Sequence, residues 1–416
     1  MTATQKLIEQ FGLVGLESPL NEMEQSFLDS VHRFADEVLR PAGTKLDRMS
    51  PEEVIAEGSP LWQVFSEFAN LGITPDLMAS LEPLQGARMY ALLLEEMAWG
   101  DSGLAVALGA SGTPQRLAHH FNNQFLIDNI PEDAIGCWGI TEPDHGSDMV
   151  DYSGVLTQAG SRVGSSNCVA TITGDEVVIN GQKAAWVSNG TIARYCALFC
   201  ACDRGNGVAE KVALVVPLDT LGVSRGKPLD KFGQRSLPQG EIYFDNVKIS
   251  TDWLIAPVER YQEVAHVQLS EANGGMGLMF VGLARAAFEH ALDYAHERKQ
   301  GGVPIMMHQS VRSRLFHMFR KVEAARALAR RSIEHNMTAV EPALVGAIAS
   351  KITSTQTAFE VASDSIQMFG GNGLTLEYPV EKLLRDARAS MIEDGCNEIL
   401  AIKGGAFLAD KDALGL

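Results

Sequence analysis

Apolar residues in the first third of the chain recur at helical spacing. Between Glu22 and Leu39 they fall at Met23, Phe27, Val31, Phe34, Ala35 and Val38, with Pro19 near the first turn and Pro41 just beyond. This predicts one helix that stops before Pro41. Leu61–Leu71 and Arg88–Trp99 carry the same period, whereas Gly72–Gly86 holds Pro75 and Pro83 with little periodicity and reads as a loop.

From about Gly136 the pattern shortens to β-favouring runs, at Val169–Thr173, Glu176–Asn180, Arg194–Ala201, Lys211–Leu218 and Glu241–Ile249, separated by Gly, Asp and Asn turns. Gly174 and Asp175 join the first two runs as a two-residue hairpin turn. After Trp253 helical spacing returns in Gly274–His296, Ser310–His335 and Pro342–Met368, broken most clearly at Gln300–Pro304. The order is helix, sheet, helix, an α+β chain with expected regions 1–135 (helical), 136–252 (β) and 253–416 (helical).

Composition adds limits. With 416 residues, 46% hydrophobic and 21% charged, the chain can bury a large core in two or three domains. A formal charge of -18 sets it against nucleic acid and anionic membrane surfaces. The N-terminal stretch lacks the apolar core of a signal peptide, and no run reaches the ~20 apolar residues of a membrane span, so a cytoplasmic location is expected. Cys196, Cys200 and Cys202 alternate on one face of a strand, which suits buried reduced thiols better than a zinc or redox site, and no metal is expected.

Candidate chemistry concentrates between Gln367 and Ile399. There Gly370, Gly371 and Gly373 permit a turn or the close approach of a ligand, and the adjacent acids Glu393 and Asp394 precede Gly395, Cys396 and Asn397. Glycines after a helix also serve as a plain C-cap, and acids at a helix end are commonly solvated. Two further stretches stand out, Ile140–Asp148 (ITEPDHGSD) and Ile179–Gly190 (INGQKAAWVSNG).

Together with QMFGGNG, EYPVEK, RDAR and IEDGCNEI, these stretches closely resemble the signature segments of the acyl-CoA dehydrogenase flavoproteins, in the family's order. The resemblance implies an N-terminal helical domain, a β-barrel-like middle domain and a C-terminal four-helix bundle. It also implies FAD, an acyl-CoA substrate and an electron-transfer flavoprotein as electron acceptor. By the same resemblance Trp138, Ile140, Thr141, Trp186 and Ser188 would line the flavin ring, and Ser147 would touch the CoA arm. Arg298, Gln367, Gly370 and Gly371 would bind the diphosphate and adenine across a subunit interface, making the protein a homodimer or homotetramer. Cys396 stands where the family usually has threonine beside the cofactor, and Gly395 follows the base in the substrate site.

The implied reaction is α,β-dehydrogenation. A carboxylate removes the proton next to the thioester, hydride leaves the β carbon, and the backbone N–H of the base residue supports enolate charge. The base position falls on Asp394, where most members carry glutamate, a loss of about 1.3 to 1.5 Å of reach. Glu393, beside it, reads as a solvated acid that projects away. Some relatives place the base on the helix after the β domain, where the alignment lands on Ala272; Glu271, its neighbour, is expected to point elsewhere by ~100°. Ala401 replaces a usual arginine, and the P-x-x-x-G-G element found near the substrate in the family is missing from Gly72–Gly86. A flavin oxidase or non-redox lyase on the same scaffold, and a catalytically silent flavoprotein, are the competing readings; the presence of Asp394 disfavours silence.

Overall fold

Helices occupy the computed structural model up to Asn129; the residues described are 1–151 and 166–410. They are α1 (Ala3–Phe11), α2 (Glu22–Phe34), α3 (Arg40–Leu46), α4 (Pro51–Ile55), α5 (Pro60–Asn70), α6 (Pro75–Ser80), α7 (Pro83–Gly100), α8 (Ser102–Ser111), α9 (Thr113–His120) and α10 (Gln124–Asn129). The strands are β1 (Gly136–Gly139), β2 (Cys168–Thr173), β3 (Glu176–Lys183), β4 (Tyr195–Asp203), β5 (Glu210–Pro217), β6 (Val223–Arg225) and β7 (Ile242–Ser250). Then come α11 (Tyr261–Glu297), the short pair β8 (Lys299–Gln300) and β9 (Val303–Pro304), α12 (Gln309–Thr338), α13 (Leu344–Phe369), α14 (Val380–Ser390) and α15 (Asn397–Ala409).

Local chemistry accounts for most boundaries. Asn21 caps α2 through a capping box with Glu24, and Ser50 caps α4 with Glu53 in the same way. The helix predicted over Glu22–Leu39, however, does not end before Pro41. It loosens into a π turn at Ala35–Leu39 and re-forms as α3 with Pro41 in the first turn. Arg40 N–H bonds Ala35 O, five residues back, and that change of register gives the proline ring room without costing a hydrogen bond. Gly72–Gly86 is likewise not all loop: Thr74 caps α6, and Pro83 opens α7. Both prolines stand in first turns, where a missing N–H costs nothing, so they mark helix starts.

In the sheet β4 lies parallel to β1 and β2 and antiparallel to β5, while β3 joins β2 to β7 and β6 pairs with β7. The hairpin expected at Gly174-Asp175 forms, with Thr173 opposite Glu176 and Gly174 at φ +58. The core of the sheet holds Cys137, Cys168, Cys196, Cys200 and Cys202 among Val177, Ile179 and Val212, and all five thiols are free and buried.

Helices from both ends of the chain share one core. Leu94 and Met97 of α7 meet Met276, Phe280 and Leu283 of α11, Met318 and Val322 of α12, and Val361 of α13. Gly282 lets α7 and α11 touch, because a Cβ there would fall 2.0 Å from Glu95 O. Contact that close brings charges inside. Glu95 is 1% exposed and accepts from Arg285 Nη1 (2.8 Å), Arg326 Nη2 (2.9 Å) and Arg330 Nη2 (2.9 Å). Burial works against ionised Glu95, but Arg326, Arg330 and Arg285 outweigh it and hold the carboxyl well below its usual range. No helix of the described residues is long and apolar enough to cross a membrane.

Removing one partner of such a cluster strands the others without a counter-charge. Glu95→Gln is expected to lower the unfolding free energy by about 3 to 5 kcal/mol, read from denaturant unfolding beside the wild type.

Candidate active site

The signature segments lie far apart in sequence, and buried polar contacts join them. Lys183 Nζ, fully buried, donates to Glu142 Oε1 (2.7 Å), Ile140 O (3.0 Å) and Phe199 O (2.7 Å), which pins the loop after β1 to β3 and β4. Lys382 Nζ donates to Asp101 Oδ2 and Asp386 Oδ2, each at 2.6 Å, tying the start of α8 to α14. Asp386 in turn accepts from Gln234 N–H, and Gln234 Nε2 donates to Glu393 (2.9 Å). Ser147 Oγ accepts from Cys396 N–H (3.0 Å), which closes the circuit between the first signature loop and the last.

These ties enclose a cavity of about 590 Å³. Trp138, Ile140, Thr141, Ser147, Trp186, Ser188, Asp394 and Gly395 all line it, so eight of the residues singled out in the sequence converge. Cys396 does not line it; it contributes the N–H that fixes Ser147. Arg298, Gln367, Gly370 and Gly371 lie elsewhere, exposed at the end of the bundle where α11 and α13 meet through the stacked rings of Tyr294 and Phe369, 3.9 Å apart. Among the described residues no group of three or more His, Cys, Asp or Glu side chains is arranged to hold a metal ion.

One wall suits a planar heteroaromatic ring. Trp186 is 62% exposed at the cavity, Trp138 Nε1 is buried with no protein acceptor, and the hydroxyls of Thr141 and Ser188 are close by in the same lining. Apolar faces with a few unspent donors are what a polar-edged ring needs.

Opposite chemistry gathers at the loop after α14. Asp394 (φ +50) and Gly395 (φ +92) are both left-handed, a conformation aspartate tolerates better than most residues. The tight turn aims both acids at the cavity, which corrects the reading of Glu393 as a solvated acid projecting away: it is half-buried, lines the cavity and is held by Gln234. Burial lifts the Asp394 carboxyl above its ordinary value against the pull of Lys351. Lys351 lies fully buried beneath, donating to Gly395 O (2.9 Å) and Asn397 Oδ1 (2.8 Å), and burial brings its ammonium down to about 8.

A second correction concerns Glu271, which lines the same cavity together with Ala272. The lining positions on α11 are Gln268, Glu271, Ala272, Gly275, Met276 and Met279, a stripe wide enough to include residues ~100° apart. Sequence reasoning also passed over Gln268, Arg116, Lys231 and Gln234. The i, i+3 spacing of Gln268 and Glu271 was a usable signal; for the other three no local pattern exists.

The chain matches the family model of the acyl-CoA dehydrogenase C-terminal domain over residues 263–407 and that of the middle domain over residues 137–247. It is 28% identical over 409 residues to a short-chain-specific acyl-CoA dehydrogenase of Megasphaera elsdenii, covering 94% of this chain and 99% of that one. To a probable acyl-CoA dehydrogenase of Bacillus subtilis it is 32% identical over 326 residues, 74% of this chain and 79% of the other. The solved butyryl-CoA dehydrogenase of Megasphaera elsdenii aligns with a TM-score of 0.81 at 26% identity, covering 95% of this chain and 100% of that one.

Glu393 gives the site a pH signature. Burial, reinforced by Asp394 and opposed by Gln234, lifts its carboxyl to about 7. The unfolded chain ionises this group first, so its contribution is complete at acid pH and is lost as pH rises from the ordinary glutamate range to about 7. Glu393→Gln does not ionise; its melting temperature relative to wild type is expected to rise between about pH 5 and about pH 8, followed by calorimetry in matched buffers.

Proposed function

The chain belongs to the acyl-CoA dehydrogenase family, and from that premise we propose that it removes hydrogen from the α and β carbons of an acyl-CoA thioester, with Asp394 as the base and FAD as the hydride acceptor. The observation that carries this reading is the Asp394 carboxyl, half-buried and lifted in pKa, lining the same cavity as Trp138 and Trp186.

Burial makes Asp394 a stronger base than a free aspartate once it is ionised, and Lys351 beneath the turn favours that ionised form. The backbone N–H of Asp394 finds no acceptor among the described residues, leaving it available to a thioester oxygen as charge develops there. Because Gly395 and Asn397 both bond Lys351, the base and its own N–H are held as one rigid turn. Ser147, fixed by Cys396 N–H, would meet the CoA arm at the cavity rim.

Trp138, Ile140, Thr141, Trp186 and Ser188 would hold the isoalloxazine ring. Bound FAD would supply the acceptor for the β-carbon hydride. Its far end would reach Arg298, Gln367, Gly370 and Gly371 of a neighbouring copy, in a homodimer or homotetramer, and an electron-transfer flavoprotein would collect the electrons. The exposure of those four residues, away from the chain's own cavity, supports a neighbour's cofactor over this chain's own.

Two experiments test this. Asp394→Asn preserves the size and left-handed backbone of the residue, so it should bind FAD and acyl-CoA yet lose anaerobic flavin reduction by about 10² to 10⁴-fold. Wild-type reduction rates in that variant, with loss in Glu271→Gln, would move the base to α11. For the interface, a Cβ at Gly371 meets nothing within 4 Å in the chain itself. Gly371→Val should therefore leave the chain folded while lowering flavin absorbance per chain; a fully flavinated, monomeric wild type would contradict the shared site.

A further inference from the structure

The α11 stripe changes character along its length. Met276 and Met279 line the cavity with Val106 and Ala110 of α8, an apolar set, and Met279 lies against Gly109, whereas Gln268 and Glu271 share the lining with Arg116 of α9 and Tyr90 of α7. Arg116 is oriented by its own helix and the one before: Nη1 donates to Gly109 O (3.0 Å) and Nη2 to Thr113 Oγ1 (3.2 Å). Its third nitrogen, Nε, stands 3.5 Å from Glu271 Oε2 without forming a hydrogen bond.

Three polar atoms here are buried without a hydrogen bond: Gln268 Oε1, and Arg116 Nε and Glu271 Oε2, which pair only by charge at 3.5 Å. Gln268 is 2% exposed, so its amide has no route to bulk solvent except through the cavity. Tyr90 lines the cavity with these residues, and burial lifts its hydroxyl pKa above the ordinary value. A hydrocarbon chain filling this end would leave Gln268 Oε1 without a partner and the Arg116–Glu271 ion pair desolvated with no hydrogen bond on the facing atoms. An anionic group would suit Arg116 but face two acceptor oxygens; a cationic group would do the reverse. A hydroxyl accepts from Arg116 Nε–H and donates to Glu271 or Gln268 in one step, adding no charge, and it also suits the amide turned end for end.

Building on the acyl-CoA reading above, we propose that the acyl group of the substrate carries a hydroxyl beyond its α and β carbons, recognised by Arg116, Gln268 and Glu271 in this polar end of the cavity. The three residues thus set specificity without touching the carbons that react. Straight, purely hydrocarbon acyl chains are second-best substrates.

The test compares matched CoA thioesters: butanoyl, hexanoyl, octanoyl and cyclohexanecarbonyl, each with and without a hydroxyl at the far carbon. Affinities are measured by calorimetry on FAD-loaded Asp394→Asn protein, so that binding is read without turnover, and kcat/KM by flavin bleaching on the wild type. At least one hydroxylated member should exceed its plain partner by about tenfold or more in both readouts. Gln268→Met, close in volume, and Glu271→Gln, close in shape, placed in both backgrounds, should each bring that pair towards parity, with melting temperature and flavin content showing that the fold survives. Parity or preference for the plain chain across every wild-type pair overturns the proposal, as does a preference that persists in both variants. If no thioester binds at all, the CoA reading falls first and this one with it.

Discussion

Lys382 is the ion on which the site depends. Its ammonium is largely shielded from water, and burial by itself lowers its pKa; Asp101 and Asp386, each 2.6 Å away, outweigh that and hold it above the ordinary lysine range. Asp101 also caps α8 through Leu104 N–H and accepts from Ser236 Oγ at 2.6 Å. Asp386 takes the backbone of Gln234. One cation therefore joins a helix start, the segment before β7 and α14, and the side chain of Gln234 carries the tie on to Glu393, next to Asp394. Close packing enforces the arrangement: a Cβ at Gly233 would lie 2.3 Å from Arg385 O. The interaction is worth little as net stability, since desolvation offsets much of the attraction, but it leaves few alternative geometries.

Desolvation also makes the chemistry. Glu393, Asp394 and Lys351 are all pushed toward their neutral forms by burial; Lys351 and the two carboxyls restrain one another, while Asp394 pushes Glu393 further toward neutral. A carboxyl held this way is a better proton acceptor than one in water, and the left-handed turn at Asp394 and Gly395 fixes where it points. Aspartate's shorter side chain is compatible with that backbone, and in the proposed reaction its lost reach would bring the reacting carbon close to the turn.

The fold and the cavity share an element, α11. Its central residues sit in the helical core with α7, α12 and α13, while a stripe from Gln268 and Glu271 to Met276 and Met279 lines the cavity. A helix buried this completely shows no clean amphipathic stripe. Its start at Tyr261, well before the periodic stretch from Gly274, was accordingly hidden in the sequence.

What the sequence determined by itself is what short-range physics encodes. Helical and strand periods, the turn at Gly174, the alternation that buries Cys196, Cys200 and Cys202, and the motif segments that meet at the cavity all depend on neighbours within a few residues. Those features were legible, as was the convergence of Trp138, Thr141, Trp186, Ser188 and Asp394, which line one cavity. The errors were of a single kind. Pro41, Pro75 and Pro83 were read as breaks because a proline's effect depends on whether a helix starts or continues there. Glu393 was assigned by the habit of acids to face water, and Glu271 was turned away by its ~100° offset from Ala272. Only the tertiary structure decided otherwise, since a carboxyl's solvation is set by segments distant in sequence: Gln234 for Glu393, Arg116 for Glu271, and Arg285, Arg326 and Arg330 for Glu95. Periodicity records which face of an element is buried; it carries no record of which charge will be waiting there.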